Sequence, residues 1–316
     1  MTEKQDYHKD RHYIIIAGPT ASGKSAMALD IARRMGGVII NADSMQIYQD
    51  LSVLTARPSE VDMQAVPHRL YGVMDGAQNC SVGKWLALAH EEVTLAWQAG
   101  KMPILVGGTG MYLQAATDGL SPIPDIPEDV RKAVIAQHRK MGAEQFHTLL
   151  ASHDNEIATR LFPTDTQRVL RAMEVVMHTG TPLSVWQKKP RLSRIEAQAI
   201  SIRHLPPRQA IYERIEARFD KMIDAGALDE VARLSARKLD PDLPVMKALG
   251  VKPLAAVQAG QLDEAAAIEL IKRDTRRYAK RQITWLRNNF ISKIDTDSLY
   301  SESLSEKIFS KILDLA

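Results

Sequence analysis

Short apolar runs at residues 13–17, 38–40, 69–74, 103–106 and 199–204 each end in a turn-forming or polar residue, with longer stretches of helical period between them. Alternation of buried strand with amphipathic helix predicts a parallel sheet covered by helices on both faces. The helix after the first run carries apolar Met27, Leu29 and Ile31 among Ala26, Ala28 and Ala32, and should stop at Gly36 and Gly37. From Ser121 the texture changes. SPIPDIPED places three prolines in a short connector, and about 65 residues of helical period without a strand follow it. The expected organisation is an α/β core of the P-loop type at 1–118 and 196–316, interrupted by an all-helical insertion at 119–195. Beyond 204 only helices are expected, broken at Pro206 and Pro207, at Pro241 to Pro244 and at Gly260.

Composition narrows the setting. A chain of 316 residues with 45% hydrophobic content can bury a large core, and a net charge of +3 leaves any basic character to local clusters. A single cysteine, Cys80, excludes a disulfide framework and a thiolate zinc cluster, which points to a reducing compartment and a cytoplasmic location. No apolar run reaches the roughly 18 residues of a membrane span, so no membrane partner is expected. His8 and His12 are spaced i, i+4 but lack a third ligand nearby, and a frayed polar terminus is the simpler account.

The first candidate chemistry lies between the first strand and its helix. GPTASGKS, formed by Gly18, Pro19, Thr20, Ala21, Ser22, Gly23, Lys24 and Ser25, matches GxxxxGK[ST] in the strand–turn–helix setting that the motif requires. Its glycines let backbone N–H groups turn inward, the helix N-terminus adds partial positive charge, Lys24 adds a full charge, and Ser25 can ligate Mg²⁺. The loop should hold a di- or triphosphate, though ATP in particular does not follow.

Ligands of doubly wound sheets sit at the carboxyl ends of strands. There the second run leads into Asn41, Ala42, Asp43, Ser44, Met45 and Gln46, and the fourth into Gly107, Gly108 and Thr109. Read alone, Asp43 suits a helix N-cap as well as a site, and Thr109 suits a turn. ATP-hydrolysing relatives of the motif place an Asp directly after a second buried strand to hold Mg²⁺. PILVGG has none, which argues against ordinary ATP hydrolysis.

Taken together, GPTASGKS, NADSMQIY, TARP at 55–58, PHRL at 67–70, PILVGGTGMY, GLSPIP, DTQRVLRAMEV at 165–175, ERIEARFDKM at 213–222 and KRQITWLR at 280–287 resemble the tRNA dimethylallyltransferase family of the bacterial type. The segments follow the family's order along nearly the whole chain. The resemblance implies transfer of a dimethylallyl group from dimethylallyl diphosphate to N6 of adenosine-37 in tRNA, with diphosphate leaving. It assigns the phosphate loop, Lys24, Thr109, Arg218 and Mg²⁺ on Ser25 to the leaving group, and Asp43 to proton acceptance. It places tRNA against Asp43, Ser44, Met45, Gln46 and Thr109, against Arg131, against Gln167, Arg168, Val169, Leu170 and Arg171 in the insertion, and against Lys247 in MKALGVK.

The terminal helical segment 271–287 is basic, with Lys272, Arg273, Arg276, Arg277, Lys280, Arg281 and Arg287 against one acid, Asp274. Helical spacing brings 273, 276, 277, 280, 281 and 287 toward one face, with Ile271, Tyr278, Ile283 and Leu286 forming an apolar stripe. By charge alone this is a solvated face. With a tRNA substrate implied, Arg277, Lys280, Arg281 and Arg287 become phosphate contacts. A monomer is expected. Three other readings stay open at this point: prenylation of a free adenine nucleotide, AMP or ATP, small-molecule phosphoryl transfer by a P-loop kinase, and RNA binding by a P-loop protein without catalysis.

Overall fold

The computed structural model describes residues 11–315; His8 and the polar stretch around it lie outside the described residues. Strand β1 (His12–Ala17) leads through the phosphate loop into α1 (Lys24–Met35), followed by β2 (Val38–Asn41), the short α2 (Glu60–Ala65), β3 (His68–Arg69), α3 (Val82–Gln98), β4 (Pro103–Gly107) and α4 (Gly110–Asp118). Five helices follow: α5 (Glu128–Met141), α6 (Ala143–His153), α7 (Asn155–Ala158), α8 (Thr166–Thr179) and α9 (Leu183–Lys188). The chain then returns to β5 (Gln198–His204), α10 (Arg208–Asp224), α11 (Ala227–Ala236), a 3-10 turn (Pro244–Lys247), α12 (Val251–Gln258), α13 (Glu264–Asn289), β6 (Ile294–Thr296) and α14 (Glu302–Leu313).

The six strands form one sheet in the order β3-β2-β4-β1-β5-β6, every pair parallel. Strands buried on both faces must be apolar throughout, and Tyr13 to Ala17 and Ile104 to Val106 are nearly inaccessible. Helix α1 buries Met27, Ala28, Ile31 and Ala32 against the sheet and ends where Gly36 takes the left-handed conformation with φ 62°. Because β4 lies between β2 and β1 and pairs parallel with both, the carboxyl ends of β1, β2 and β4 open side by side. No described helix is long and apolar enough to cross a membrane.

Two compact units emerge, one formed by residues up to Thr117 and from Ile195 onward, the other by Asp118–Arg194. The second is helical apart from a lone bridge between Leu120 and Leu192, and has its own core around Phe146, Leu150, Val169 and Met173.

The parallel sheet and its helical layers agree with the sequence pattern, while two details differ. The run at 69–74 yields only the two-residue β3, because Leu70 and Gly72 both adopt φ 62° and turn the chain away from the sheet. Strand β6 was not expected. Its three residues are too few to register an alternation, and pairing with β5 through Ile202 and Ile294 defines it instead.

At the sheet's carboxyl edge, a Cβ on Gly107 would fall 2.0 Å from the carbonyl oxygen of Ala42. Gly107→Ala should therefore wedge β4 from the chain leaving β2 and cost about 3 kcal/mol. Denaturant unfolding checks this, and an unchanged midpoint would contradict the close approach.

Candidate functional site

The phosphate loop is held from behind by side chains distant in sequence. Gln282 on α13 accepts from Thr20 N at 2.8 Å through Oε1 and donates Nε2 to Gly108 O at 3.0 Å. His204, at the end of β5, bonds Ser22 O through Nε2 at 2.9 Å and Thr296 Oγ1 through Nδ1 at 2.7 Å. A carbonyl can only accept, so the hydrogen sits on Nε2 and the threonine hydroxyl donates to Nδ1. Burial lowers the pKa of His204 to about 4, a shift reinforced by the charges of Lys24 and Arg214 and opposed by the bond to Ser22, so the ring is neutral at pH 7. Arg214 donates a second bond to Ser22 O at 3.1 Å, and Arg218 donates to Thr20 Oγ1 at 2.7 Å. At the mouth of α1, Gly23 takes φ 101°.

The loop is therefore preshaped and strongly cationic. Lys24 donates to Pro19 O at 3.2 Å. Burial brings its pKa down to about 8, with Asp43 opposing the shift and Arg218 adding to it. Arg218 is likewise lowered by burial and supported by Asp43.

Beside the loop, Asn41 folds the end of β2 by accepting from Asp43 N at 2.8 Å and donating to Asp43 O at 2.9 Å. Asp43 Oδ1 then accepts from Met45 N at 2.9 Å and Gln46 N at 3.4 Å. Its other oxygen has no partner among the described residues. Thr109 Oγ1 accepts from Ser44 N at 3.0 Å, lies 3.3 Å from Ser44 Oγ and meets the Tyr278 hydroxyl. Burial, and then the charge of Asp43, raise the pKa of Tyr278 and keep it a neutral phenol.

Two cavities meet here. One, of about 450 Å³, is lined by Lys24, Ser25, Arg214, Arg218 and Lys221. The other, of about 290 Å³, has an apolar wall of Leu54, Ile215, Phe219, Met222, Leu249 and Ile271. Thr20, Asp43, Thr55 and Arg218 line both.

A family model described as IPP transferase matches residues 46–289, and one described as Isopentenyl transferase matches residues 11–79. The tRNA dimethylallyltransferase of Paramagnetospirillum magneticum is 49% identical over 299 residues, covering 95% of each chain. That of Methylobacterium nodulans is 53% identical over 276 residues, covering 87% of this chain and 91% of its own. Among solved structures, the tRNA isopentenylpyrophosphate transferase of Bacillus halodurans matches with a TM-score of 0.68 at 30% identity, covering 96% of both chains. A eukaryotic dimethylallyltransferase acting on tRNA matches with a TM-score of 0.84 at 25% identity, covering 97% of this chain and 79% of that one. The chain belongs to the IPP transferase family. It is accordingly an enzyme of the prenyltransferase class.

Within this IPP transferase, Thr20, Ala21, Gly23, Lys24, Ser25, Asp43, Gln46 and Arg218 share the cationic cavity, while Ser44, Met45, Lys247 and Arg281 line the apolar one. The residues expected at the tRNA from the insertion differ in exposure and partners. Val169 is wholly buried in the insertion's core and Leu170 packs against that core, because the hydrophobic face of α8 runs through both. Their side chains serve the packing of the insertion. Gln167 remains exposed, Arg168 pairs with Asp165 at 3.3 Å and Arg171 with Glu174 at 3.5 Å. Arg131 is half-buried, with Nε unpartnered.

On α13, Arg276 of the expected basic face pairs with Glu216, as does Lys272, which lay outside that face and also bonds Asp220 at 2.7 Å. Arg277, Lys280 and Arg287 stay exposed, and Arg281 lies 5.7 Å from the Tyr278 ring. Tyr278 itself leaves the apolar stripe to join the site. The sequence reading also missed Gln282, His204 and Arg214. Gln282 and Arg214 stand inside motifs that carried the resemblance, whereas His204 had only its place at a strand's end as a signal.

Magnesium was expected on Ser25, whose exposed hydroxyl lines the cationic cavity. Among the described residues no group of three or more acidic, histidine or cysteine side chains could hold a metal unaided. A single hard oxygen beside a phosphate cradle fits a magnesium ion ligated mainly by substrate oxygens and water.

Lys24 gives this cavity a pH dependence. Below about 8 it is charged before ligand arrives, and above about 8 binding of a polyanion must draw a proton onto it. Inorganic diphosphate should therefore bind more weakly as pH rises through that value, with proton uptake measurable by titration calorimetry in buffers of different ionisation enthalpy. Lys24→Met should remove that uptake; an identical uptake in the variant would assign the proton to another group.

Proposed function

We propose that the chain transfers a dimethylallyl group from dimethylallyl diphosphate to N6 of adenosine-37 in tRNA, giving N6-dimethylallyladenosine and diphosphate. The observation that carries this reading is the junction of a cationic and an apolar cavity at Asp43, Thr20, Thr55 and Arg218. An allylic diphosphate has the same two halves, joined at the one bond that must break. Strand β4 ends at Gly107 and is followed by Gly108 and Thr109, so phosphoryl transfer lacks the acid that normally holds its metal there.

In the proposed step the N6 lone pair attacks C1 of the allyl group. The C1–O bond breaks and its electron pair stays on the diphosphate, while Asp43 takes the N6 proton. An adenine amine is a weak nucleophile because its lone pair is delocalised into the ring, and a positioned base contributes about 10²–10⁴-fold. Backbone amides fix one oxygen of Asp43, which leaves the other for the amine. Lys24, Arg218 and the phosphate-loop amides face the charge that grows on the leaving group and need no rearrangement to meet it. Ser25 would hold magnesium there, and the bound ion would neutralise part of the same charge.

On the acceptor side, the exposed Gln167 and Arg168 of the insertion and Arg277, Lys280 and Arg287 of α13 are the proposed tRNA contacts. The target base must leave its stack before its amine can reach Asp43.

Incubation with dimethylallyl diphosphate and tRNA carrying A36-A37-A38, followed by mass analysis of nucleosides, tests the reaction. The prenylated nucleoside should form from tRNA, and preferential modification of free AMP would replace this reading with nucleotide prenylation. Asp43→Asn should lower kcat/KM by about 10²–10³-fold while diphosphate affinity changes little. Undiminished turnover in that variant would remove Asp43 as the base.

Replacing both Lys280 and Arg287 with Ala should weaken tRNA binding and flatten the slope of log affinity against log salt by about 1.5. Donor affinity should be unaffected. An unchanged slope, read from filter binding at several salt concentrations, would exclude this face from the interface.

A further inference from the structure

Between β2 and α2 the chain crosses both cavities as an irregular strap, residues 52–58. Leu54 and Thr55 line the apolar cavity, Thr55 and Ala56 the cationic one. The strap is fastened at two points. At its tip, Gln46 Nε2 donates to Thr55 O at 2.7 Å and Ala56 O at 3.1 Å, and Ala56 takes the left-handed φ 51°. At its root stands Glu230 of α11, only 3% exposed.

One oxygen of Glu230 accepts from Ser52 N at 2.5 Å, Ser52 Oγ at 3.0 Å and Val53 N at 2.9 Å; the other accepts from Leu54 N at 2.9 Å. A buried carboxylate is costly unless its oxygens are bonded, and all four of these bonds come from the strap. No basic side chain bonds Glu230 among the described residues, and its charge supports that of the partly buried Arg57, on the strap itself. Leu54 is therefore fixed by its amide. Its methyls are confined as well, because a Cβ on Gly250, which has φ 96°, would lie 3.0 Å from Leu54 Cδ2.

We propose that Glu230 is a positioning residue that sizes the apolar cavity: by seating the strap it holds Leu54 where it limits the donor to a five-carbon chain. This rests on the prenyl-transfer reading above. Glu230 itself touches neither substrate. Its influence passes through the amide of Leu54 to the wall against which the isoprenoid methyls pack.

Two variants and two readouts test it. Glu230→Gln keeps the side chain's size but turns an N–H group toward an amide donor of the strap, while Leu54→Ala removes the wall directly. Amide hydrogen exchange at 52–58 should accelerate at least tenfold in Glu230→Gln and stay unchanged in α1. With dimethylallyl and geranyl diphosphate competing for the same tRNA, the kcat/KM ratio of the longer donor to the shorter should rise at least tenfold in both variants. A loss of fold would slow both donors alike and leave that ratio where it was.

An active wild-type chain whose folded variants keep the original ratio overturns the sizing role alone. If Glu230→Gln does not fold, Leu54→Ala decides the wall and the shorter Glu230→Asp, expected to give an intermediate ratio, decides the seat. A wild-type chain that uses neither donor overturns the prenyl-transfer reading and the sizing role with it, and strap exchange as slow in Glu230→Gln as in wild type overturns the seat itself.

Discussion

A loop can present its peptide N–H groups to an anion only if something else holds the rest of its backbone. In this chain that restraint comes from outside the loop: Gln282 fixes Thr20 N, while His204 and Arg214 both bond Ser22 O. The neutral state of His204 matters to this arrangement. A protonated ring would carry another charge beside Lys24 and Arg214 and would lose its capacity to accept from Thr296, so burial that keeps it neutral also keeps the loop's underside fully bonded. The cradle's shape thus depends on β5, α10 and α13 as much as on its own glycines. Preorganisation of this kind is what makes amides effective against developing charge, because no reorganisation is needed when that charge appears.

The same restraint explains why the two cavities meet at a defined place. Arg218 bonds Thr20 Oγ1, and Asp43 is drawn into an Asx turn by Met45 N and Gln46 N. The cation is therefore tied to a threonine hydroxyl and the carboxylate to backbone amides, instead of to one another. A direct ion pair would have neutralised both and left neither free for a ligand. As it stands, Asp43 supports the charge on Lys24 and Arg218 at a distance while keeping an oxygen open.

Much of this was legible in the sequence, for identifiable reasons. Strands buried on both faces cannot avoid long apolar runs, and a phosphate loop cannot be built without its glycines and lysine, so the parallel sheet and GPTASGKS declare themselves. Strand β3 was overestimated because the left-handed turns at Leu70 and Gly72 leave little trace in hydropathy. The place of Val169 and Leu170 in the insertion's core was missed for the opposite reason. A motif marks a helix whose one face meets a substrate while another supports the core, and identity alone does not separate the two. His204 and Glu230 were illegible because their meaning lies in partners 182 and 178 positions away, at Ser22 and Ser52.

Helix α13 brings these threads together. Less than one turn of helix separates Gln282, buried and bonded to the phosphate loop, from the exposed Lys280 and Arg281, while Tyr278 reaches Thr109 and Trp285 lies where a Cβ on Gly110 would come within 2.4 Å of its ring. With 3.6 residues per turn, neighbours in sequence point in different directions, so one rigid rod can brace the phosphate loop, line the cavity and present cations to solvent at once. Charge alone had marked this segment as a surface. The buried amide of Gln282 makes it part of the catalytic frame as well, and ties the position of any nucleic acid held by its basic face to the position of the loop that would hold the diphosphate.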